Sequence, residues 1–324
     1  MTPMLKGKAA SDPAPKFSLR NLDDFSDQYL FRPVAHGLVH GALKHLPISP
    51  NQVSLISLVT GLLAAWCVVR QAPVAFSVLL ILSILLDCAD GQLARAVNRC
   101  TFVGGMLDHI FDDVKIMAMA SAFFWIYRPD IEGAISCIAC AVAFVGSASL
   151  IATSFYFVDQ HAMFRRLLPQ SPLALEAEDA RIFLQHTGSF AWSMLAQYYR
   201  QRQLSLKHIG RVVSPKRGAW NPLVFHNNLF LMRYHLHQST PLALWRISGP
   251  SSLALILAGI VLIEGFHAVP LFLAIWTSTM LVVGVVLQRR ADVALGSAPG
   301  MMALSPNLEE KAVATELFGG DSRE

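Results

Sequence analysis

A chain of 324 residues with 54% apolar side chains and only 15% charged ones is too greasy for a water-soluble domain, and its net charge of +4 is modest. Five cysteines, odd in number and lying in or beside apolar runs, exclude a disulfide framework. The composition points to an integral membrane protein with no nucleic-acid partner.

Residues 1–28 are polar and mixed in charge and read as a flexible tail, with no long apolar run followed by a small-residue cleavage site. Targeting therefore rests on the later apolar segments. The next stretch, "YLFRPVAHGLVHGALKHL", places Arg32, His36, His40 and Lys44 four residues apart as one basic stripe, with Leu30, Phe31, Val34, Leu38, Leu43 and Leu46 covering much of the rest. That pattern predicts an amphipathic helix lying in the membrane interface, its basic side toward anionic head groups. After it, the two prolines of "PISPNQVSLIS" break the helix, and Ser49 or Asn51 can cap the one that follows.

Apolar windows able to cross roughly 30 Å of hydrocarbon fall at 53–69, 73–88, 105–127, 134–157, 251–267 and 269–288. The expected fold is all-α and polytopic, with six transmembrane helices behind the interfacial one. Residues 29–158 hold that helix and four spans, 159–250 form a cytoplasmic or interfacial insertion, 251–288 hold the last two spans, and 289–324 read as a disordered tail. Within the insertion, "RIFLQHTGSFAWSMLAQYY" and "NPLVFHNNLFLMRYHLH" are apolar but interrupted by polar residues, which suits interfacial or cytoplasmic helices, or segments dipping into the bilayer. With the N-terminus inside, inner segments collect six Lys and Arg before residue 52, Arg95 and Arg99, eleven in 159–250 and four after 288, against Arg70 and Arg128 outside. This bias puts both termini in the cytoplasm. Cys137 and Cys140 share one face of the fourth span and read as packing residues.

The exception to this greasy pattern is "LLDCADGQLARAVNRCTFVGGMLDHIFDD", with Asp87, Asp90, Asp108, Asp112 and Asp113 beside or inside two spans. Each aspartate near a helix centre costs roughly 3 kcal/mol on insertion, so such groups face a wet cavity and serve a purpose. Asp87, Asp90, Gly91, Ala94 and Arg95 step along one side of a helix, and Gly104, Asp108 and Asp112 along one side of the next. A short link lets the two helices aim four carboxylates at one another. Four carboxylates at low dielectric need cations, and hard oxygen donors suit magnesium or manganese. The small residues at 91, 94 and 104 leave room for a phosphate-bearing ligand, and Arg95 offers a forked donor to phosphate oxygens. Asp113 lies off the shared face and reads as a solvated neighbour, Lys115 lies nearby, and His109 points about 100° from Asp108.

These residues fit, without a gap, the pattern DxxDGxxAR, eight residues, GxxxDxxxD, and so the chain resembles the CDP-alcohol phosphotransferases. The likeness covers roughly residues 29–158 and, through the six-span plan, the last two helices. The elbow "ISPNQVSLIS" is similar to the branch that contains phosphatidylinositol-phosphate synthases and their archaeal and bacterial relatives. The resemblance implies that Asp87, Asp90, Asp108 and Asp112 hold two divalent cations, Mg2+ or Mn2+, and that Asp112 is also the general base. It implies that Gly91, Arg95 and Thr101 contact a CDP-linked donor, with Ala94 and Gly104 beside it, and that Ser49, Pro50, Asn51 and Gln52 contact its nucleotide end. It further implies a homodimer and a reaction in which an alcohol acceptor displaces CMP, among membrane lipids at the cytoplasmic face. CDP-diacylglycerol as donor of a phosphatidyl group to a small polar alcohol is the expected use. The alternatives are transfer from CDP-choline or CDP-ethanolamine to diacylglycerol and, in another class, a divalent-cation transporter.

Overall fold

The computed structural model describes residues 24–127, 131–166, 172–213 and 228–296. Among them there are ten α-helices and no strand, as the patterning requires. The helices are α1 (Arg32–Gly41), α2 (Pro50–Val69), α3 (Pro73–Ala96), α4 (Phe102–Ile126), α5 (Ile131–Arg166), α6 (Pro172–His186), α7 (Phe190–Val213), α8 (Asn228–Ile247), α9 (Pro250–Glu264) and α10 (Val269–Gly296).

Four stretches, Pro50–Val69, Pro73–Ala96, Cys137–His161 and Phe266–Leu295, are long and apolar enough to cross a bilayer unaided. The chain is an integral membrane protein. The six expected windows all fall on helices, but two do not qualify alone. Helix α4 has the length at 25 residues, yet Asp108, Asp112, Asp113 and Lys115 crowd its first half. Helix α9 has only 15 residues, and qualifies together with Tyr234–Ile247 as a pair bent by 48°. The second polar-interrupted segment of the insertion therefore contributes α8, which runs into the apolar α9. The first is broken at 187–189 and becomes the α6–α7 hairpin.

Close packing of α2, α3 and α4 sets the position of the carboxylates. Ser49 caps α2, accepting from the Gln52 amide while the Gln52 side chain accepts from the Ser49 amide at 2.8 Å, a reciprocal box with Pro50 in the first turn. Val53, Ser57, Gly61, Ala64, Ala65 and Val68 form the buried face of α2, small enough to bring neighbouring backbones close. Ser57 and Ser83 exchange hydroxyl-to-carbonyl hydrogen bonds, both 2.9 Å, so α2 and α3 are tied where lipid offers no competing partner. Between α3 and α4 the chain turns through Asn98 at φ 53°, a left-handed position that asparagine tolerates. At the end remote from the carboxylates, Phe76, Phe123 and Phe266 pack together and the Tyr127 hydroxyl donates to the Phe266 carbonyl.

Helix α1 covers only Arg32–Gly41 of the stretch expected to form the interfacial helix, and lays Ala35 and Val39 against Ala89 and Leu93 of α3, leaving His36 and His40 exposed. On the other side of the bundle, Trp245 of α8 stacks on Phe157 and lies so close to Gly284 that an added methyl would sit 2.5 Å from its ring. Its indole nitrogen donates to Gln288, which with Gln238 and Asp292 forms a buried polar network between α8 and α10. Helix α10 thus continues through Gly296, with Asp292 and Leu295 buried, past the boundary at 288 expected for the tail.

Residues 24–28, expected to belong to the N-terminal tail, are packed against the helices. Asp24 accepts from the Ser252 amide at the start of α9, where the helix dipole favours a negative group, and the Ser26 and Ser252 hydroxyls meet at 2.8 Å. Residues 1–23 and 297–324 lie outside the described residues.

Burial raises the pKa of Asp24, and it raises that of Asp27 to about 6, helped by Asp24 and opposed by Ser251 and Arg32. A carboxyl raised in this way makes the folded state bind more protons than the unfolded chain from the ordinary carboxylate range up to about 6, so stability falls as pH rises through that window. Asp27→Asn is therefore expected to raise the melting temperature in detergent near neutral pH. The gain should shrink as the pH is lowered toward about 4. A melting temperature equal to wild type at neutral pH would contradict this.

Candidate active site

Helix α3 carries Asp87, Asp90, Gly91, Ala94 and Arg95, and α4 carries Gly104, Asp108 and Asp112, each set along one side of its helix. Packing through α2 brings the two sets together. Ligand oxygens of Asp87, Asp90 and Asp108 all lie within 4.8 Å of one another, close enough to share one cation. Asp90 is 4% exposed, and its Oδ2 has no hydrogen-bond partner among the described residues. A buried carboxylate oxygen left unpaired is costly, and it is the donor that a hard divalent cation engages. The donor set therefore fits magnesium or manganese.

The fourth carboxylate is placed differently. Asp112 lies outside the three-carboxylate group and instead accepts from Lys115 Nζ at 2.7 Å. The same ammonium reaches Asp87 at 2.8 Å and the Ser57 hydroxyl at 3.2 Å. Its stem crosses α2 at Gly61, where an added methyl would come within 2.7 Å of Lys115 Cδ. The sequence reading set Lys115 aside as a nearby residue. The signal was present in its spacing, because a residue three positions after Asp112 leans back toward the helix N-terminus and over the same face.

The remaining motif positions frame the cluster. Thr101 caps α4 by accepting from the Gly104 amide at 3.0 Å, and a methyl added at Gly104 would sit 3.1 Å from Thr101 Oγ1 and 3.4 Å from Asn51 Oδ1. The Ser49–Gln52 elbow and the first turn of α4 are thereby neighbours, which sequence alone left open. Arg95 folds back over Gly91 within about 3.5 Å of where a side chain there would begin. Its guanidinium stays exposed, as do Asn51, Gln52 and Thr101.

Asp113 departs from the solvated role expected of it. Its side chain is 23% exposed and its Oδ2 accepts from Arg202 Nε at 2.7 Å and from the Tyr198 hydroxyl at 2.8 Å, both from α7. Met106 and Ile110 of α4 pack under the hairpin against Ala180, Ala196 and Tyr199, while Asp113, with Tyr198 and Arg202, lines the same cavity as Asp87 and Asp112. His109 stacks on Tyr199 at 5.7 Å, whose hydroxyl donates to Glu176. So α4 contacts α6–α7 on one side, and α7 also reaches the wall of the cavity beside the cluster.

A cavity of about 500 Å³ opens beside the cluster. Asp87, Asp112, Asp113, Lys115, Tyr198 and Arg202 are among its polar lining, and Phe124, Phe144, Phe155 and Leu257 among its apolar lining.

Fold and site together define a helical membrane protein with a cluster of three carboxylates whose oxygens lie close enough together to hold a metal ion. Residues 47–199, just under half of the chain, match the family model for CDP-alcohol phosphatidyltransferase. Two archaeal proteins align over the same kind of length. One is an archaetidylinositol phosphate synthase of Pyrococcus horikoshii, 36% identical over 70 residues, 22% of this chain and 37% of that protein. The other is a bifunctional IPC transferase and DIPP synthase of Thermococcus kodakarensis, 37% identical over 65 residues, 20% of this chain and 15% of that protein. The chain thus spans little more than a third of the first relative and less of the second. No solved structure matches significantly.

Proposed function

We propose that this chain transfers a phosphatidyl group from CDP-diacylglycerol to a small polar alcohol and releases CMP. The observation that carries the reading is the meeting of two chemistries at one point, a carboxylate cluster suited to a pyrophosphate and its cations, and an apolar cavity that reaches Asp112 from within the bundle. A lipid-linked nucleotide has both characters. The Pyrococcus relative's name describes the making of a lipid inositol phosphate, which accords with a lipid-linked donor and a polar acceptor.

In this reaction the acceptor oxygen attacks the phosphorus joined to diacylglycerol, the bond to the CMP oxygen breaks, and CMP leaves with the bonding pair. Asp112, in the cavity's polar lining, takes the acceptor's proton. Asp87, Asp90 and Asp108, together with Asp112 once the donor is in place, hold two divalent cations, Mg2+ or Mn2+. When bound, these supply charge neutralisation for the pyrophosphate and the departing CMP. Arg95 and the Gly91 backbone receive phosphate oxygens, with Ala94 and Gly104 leaving space for them. Thr101 and the Ser49, Pro50, Asn51 and Gln52 elbow face the nucleotide end. The lysine and arginine bias supports a cytoplasmic position for this end of the bundle, where a soluble alcohol arrives, and the family resemblance implies a homodimer.

The test follows CMP release by the purified protein in nanodiscs with Mn2+ and CDP-diacylglycerol against a panel of polar alcohols, and repeats it with CDP-choline plus diacylglycerol. CMP release that needs an alcohol, occurs with the lipid donor only, and stops on chelation of the metal is the expected result. Turnover with CDP-choline alone would reverse the donor assignment. Metal uptake into proteoliposomes without CMP release from either donor would replace the reaction with transport.

A further inference from the structure

Lys115 sits inside the carboxylate cluster rather than beside it. Its ammonium bridges Asp87 and Asp112 at 2.8 and 2.7 Å, its side chain is 14% exposed, and its stem fits a slot that exists because residue 61 has no side chain. A long flexible cation is rarely held so closely without a partner surface shaped for it, since fixing its rotamers costs up to about 2 kcal/mol. The ammonium occupies the space between the carboxylate that belongs to the three-membered group and the one that does not.

We propose, resting on the reading of this cluster as a divalent-cation centre, that Lys115 is a built-in counter-cation that limits the protein without its donor to one tightly held ion, at Asp87, Asp90 and Asp108. A second ion bridging Asp87 and Asp112 must displace the ammonium from both. One divalent cation and Lys115 nearly neutralise the four carboxylates. A second ion would leave an excess of positive charge until the donor's pyrophosphate arrives to balance it. The second ion therefore enters with the donor, and Lys115 orders the assembly. It is a positioning residue, holding Asp112 toward the cavity and away from the first ion until then.

The experiment counts bound Mn2+ by the loss of its free paramagnetic resonance signal, on the full chain in detergent with no nucleotide. Wild type should bind one equivalent tightly and a second only when CDP is added. Lys115→Met, which keeps the stem over Gly61 and removes the charge, should bind two without nucleotide, and Lys115→Arg should return to one. Gly61→Ala leaves every charge in place and pushes the stem aside, so it too should gain the second ion and serves if the methionine variant fails to fold. Two tight equivalents in nucleotide-free wild type, or a single one in both Lys115→Met and Gly61→Ala, would overturn the proposal. CMP release by wild type is scored separately. A protein that follows the ion counts but transfers nothing would sink the phosphatidyl-transfer reading and leave the role of Lys115 standing.

Discussion

Replacing Asp112 with asparagine is expected to lower CMP release by about 10²- to 10⁴-fold, the range that a positioned general base contributes. The fold should survive. Asparagine has nearly the same shape, the Asp112 side chain is 36% exposed, and Lys115 keeps its contact with Asp87 when its second carboxylate is neutralised. Asp112 also stands outside the group of three that fits the first cation, so the variant should keep that ion. Loss of turnover with the first Mn2+ still bound and an unchanged melting temperature would place the fault at Asp112 itself, as base and as ligand of the second ion, and not in the group of three carboxylates. Activity close to wild type would remove Asp112 from the proton transfer.

Why sequence reading found Asp112 and passed over Lys115 has a physical answer. The side chains of Asp87, Asp90, Asp108 and Asp112 are set by helical steps within two consecutive helices, and a link of five residues, 97–101, fixes how those helices face each other. Nothing non-local is needed to foresee that cluster. Ser49 as a cap is equally local, since a serine three residues before a glutamine, with proline between, encodes the box by itself. The partners of Lys115, by contrast, are Asp87 from α3 and the bare backbone of Gly61 on α2, more than fifty positions away. A glycine inside an apolar span looks like any small packing residue until the neighbouring helix is in place.

The same reasoning covers Asp113 and the insertion. Asp113 lies about 100° around the helix from Asp112 and is not among the three grouped carboxylates. That it meets Arg202 and Tyr198 depends on where the α6–α7 hairpin docks, some eighty-five residues later. Periodicity gave α6 and α7 their apolar faces but no information on which surface they cover. The span count shows the opposite case, since 105–127 is expected to cross the membrane, yet α4 carries Asp108, Asp112, Asp113 and Lys115 and is not among the four helices that qualify alone. The N-terminal boundary moved because Asp24, polar and unremarkable in sequence, finds the amide of Ser252.

Asp90→Asn should separate function from stability most sharply. The carboxylate is 4% exposed, one oxygen lacks a partner among the described residues, and Asp87 and Asp108 are within ligand distance of it. On stability grounds alone this is a poor residue to bury, because crowded carboxylates repel one another and an unpaired polar atom forfeits its hydration. Asparagine removes the charge at almost no change in volume. The metal-free variant is therefore expected to melt at or above the wild-type temperature. Wild type should gain about 2.7 kcal/mol when Mn2+ is raised to 100 times its dissociation constant, and the variant should gain much less at the same concentration. Its CMP release should fall by about 10²-fold or more, since charge stabilisation of several kcal/mol depends on the ion. A variant that melts well below wild type in chelator, yet keeps its response to Mn2+, would make Asp90 a structural group and move the cation elsewhere. The expected pairing, greater stability with lost metal response, would show that the chain retains a destabilising carboxylate because the ion needs it.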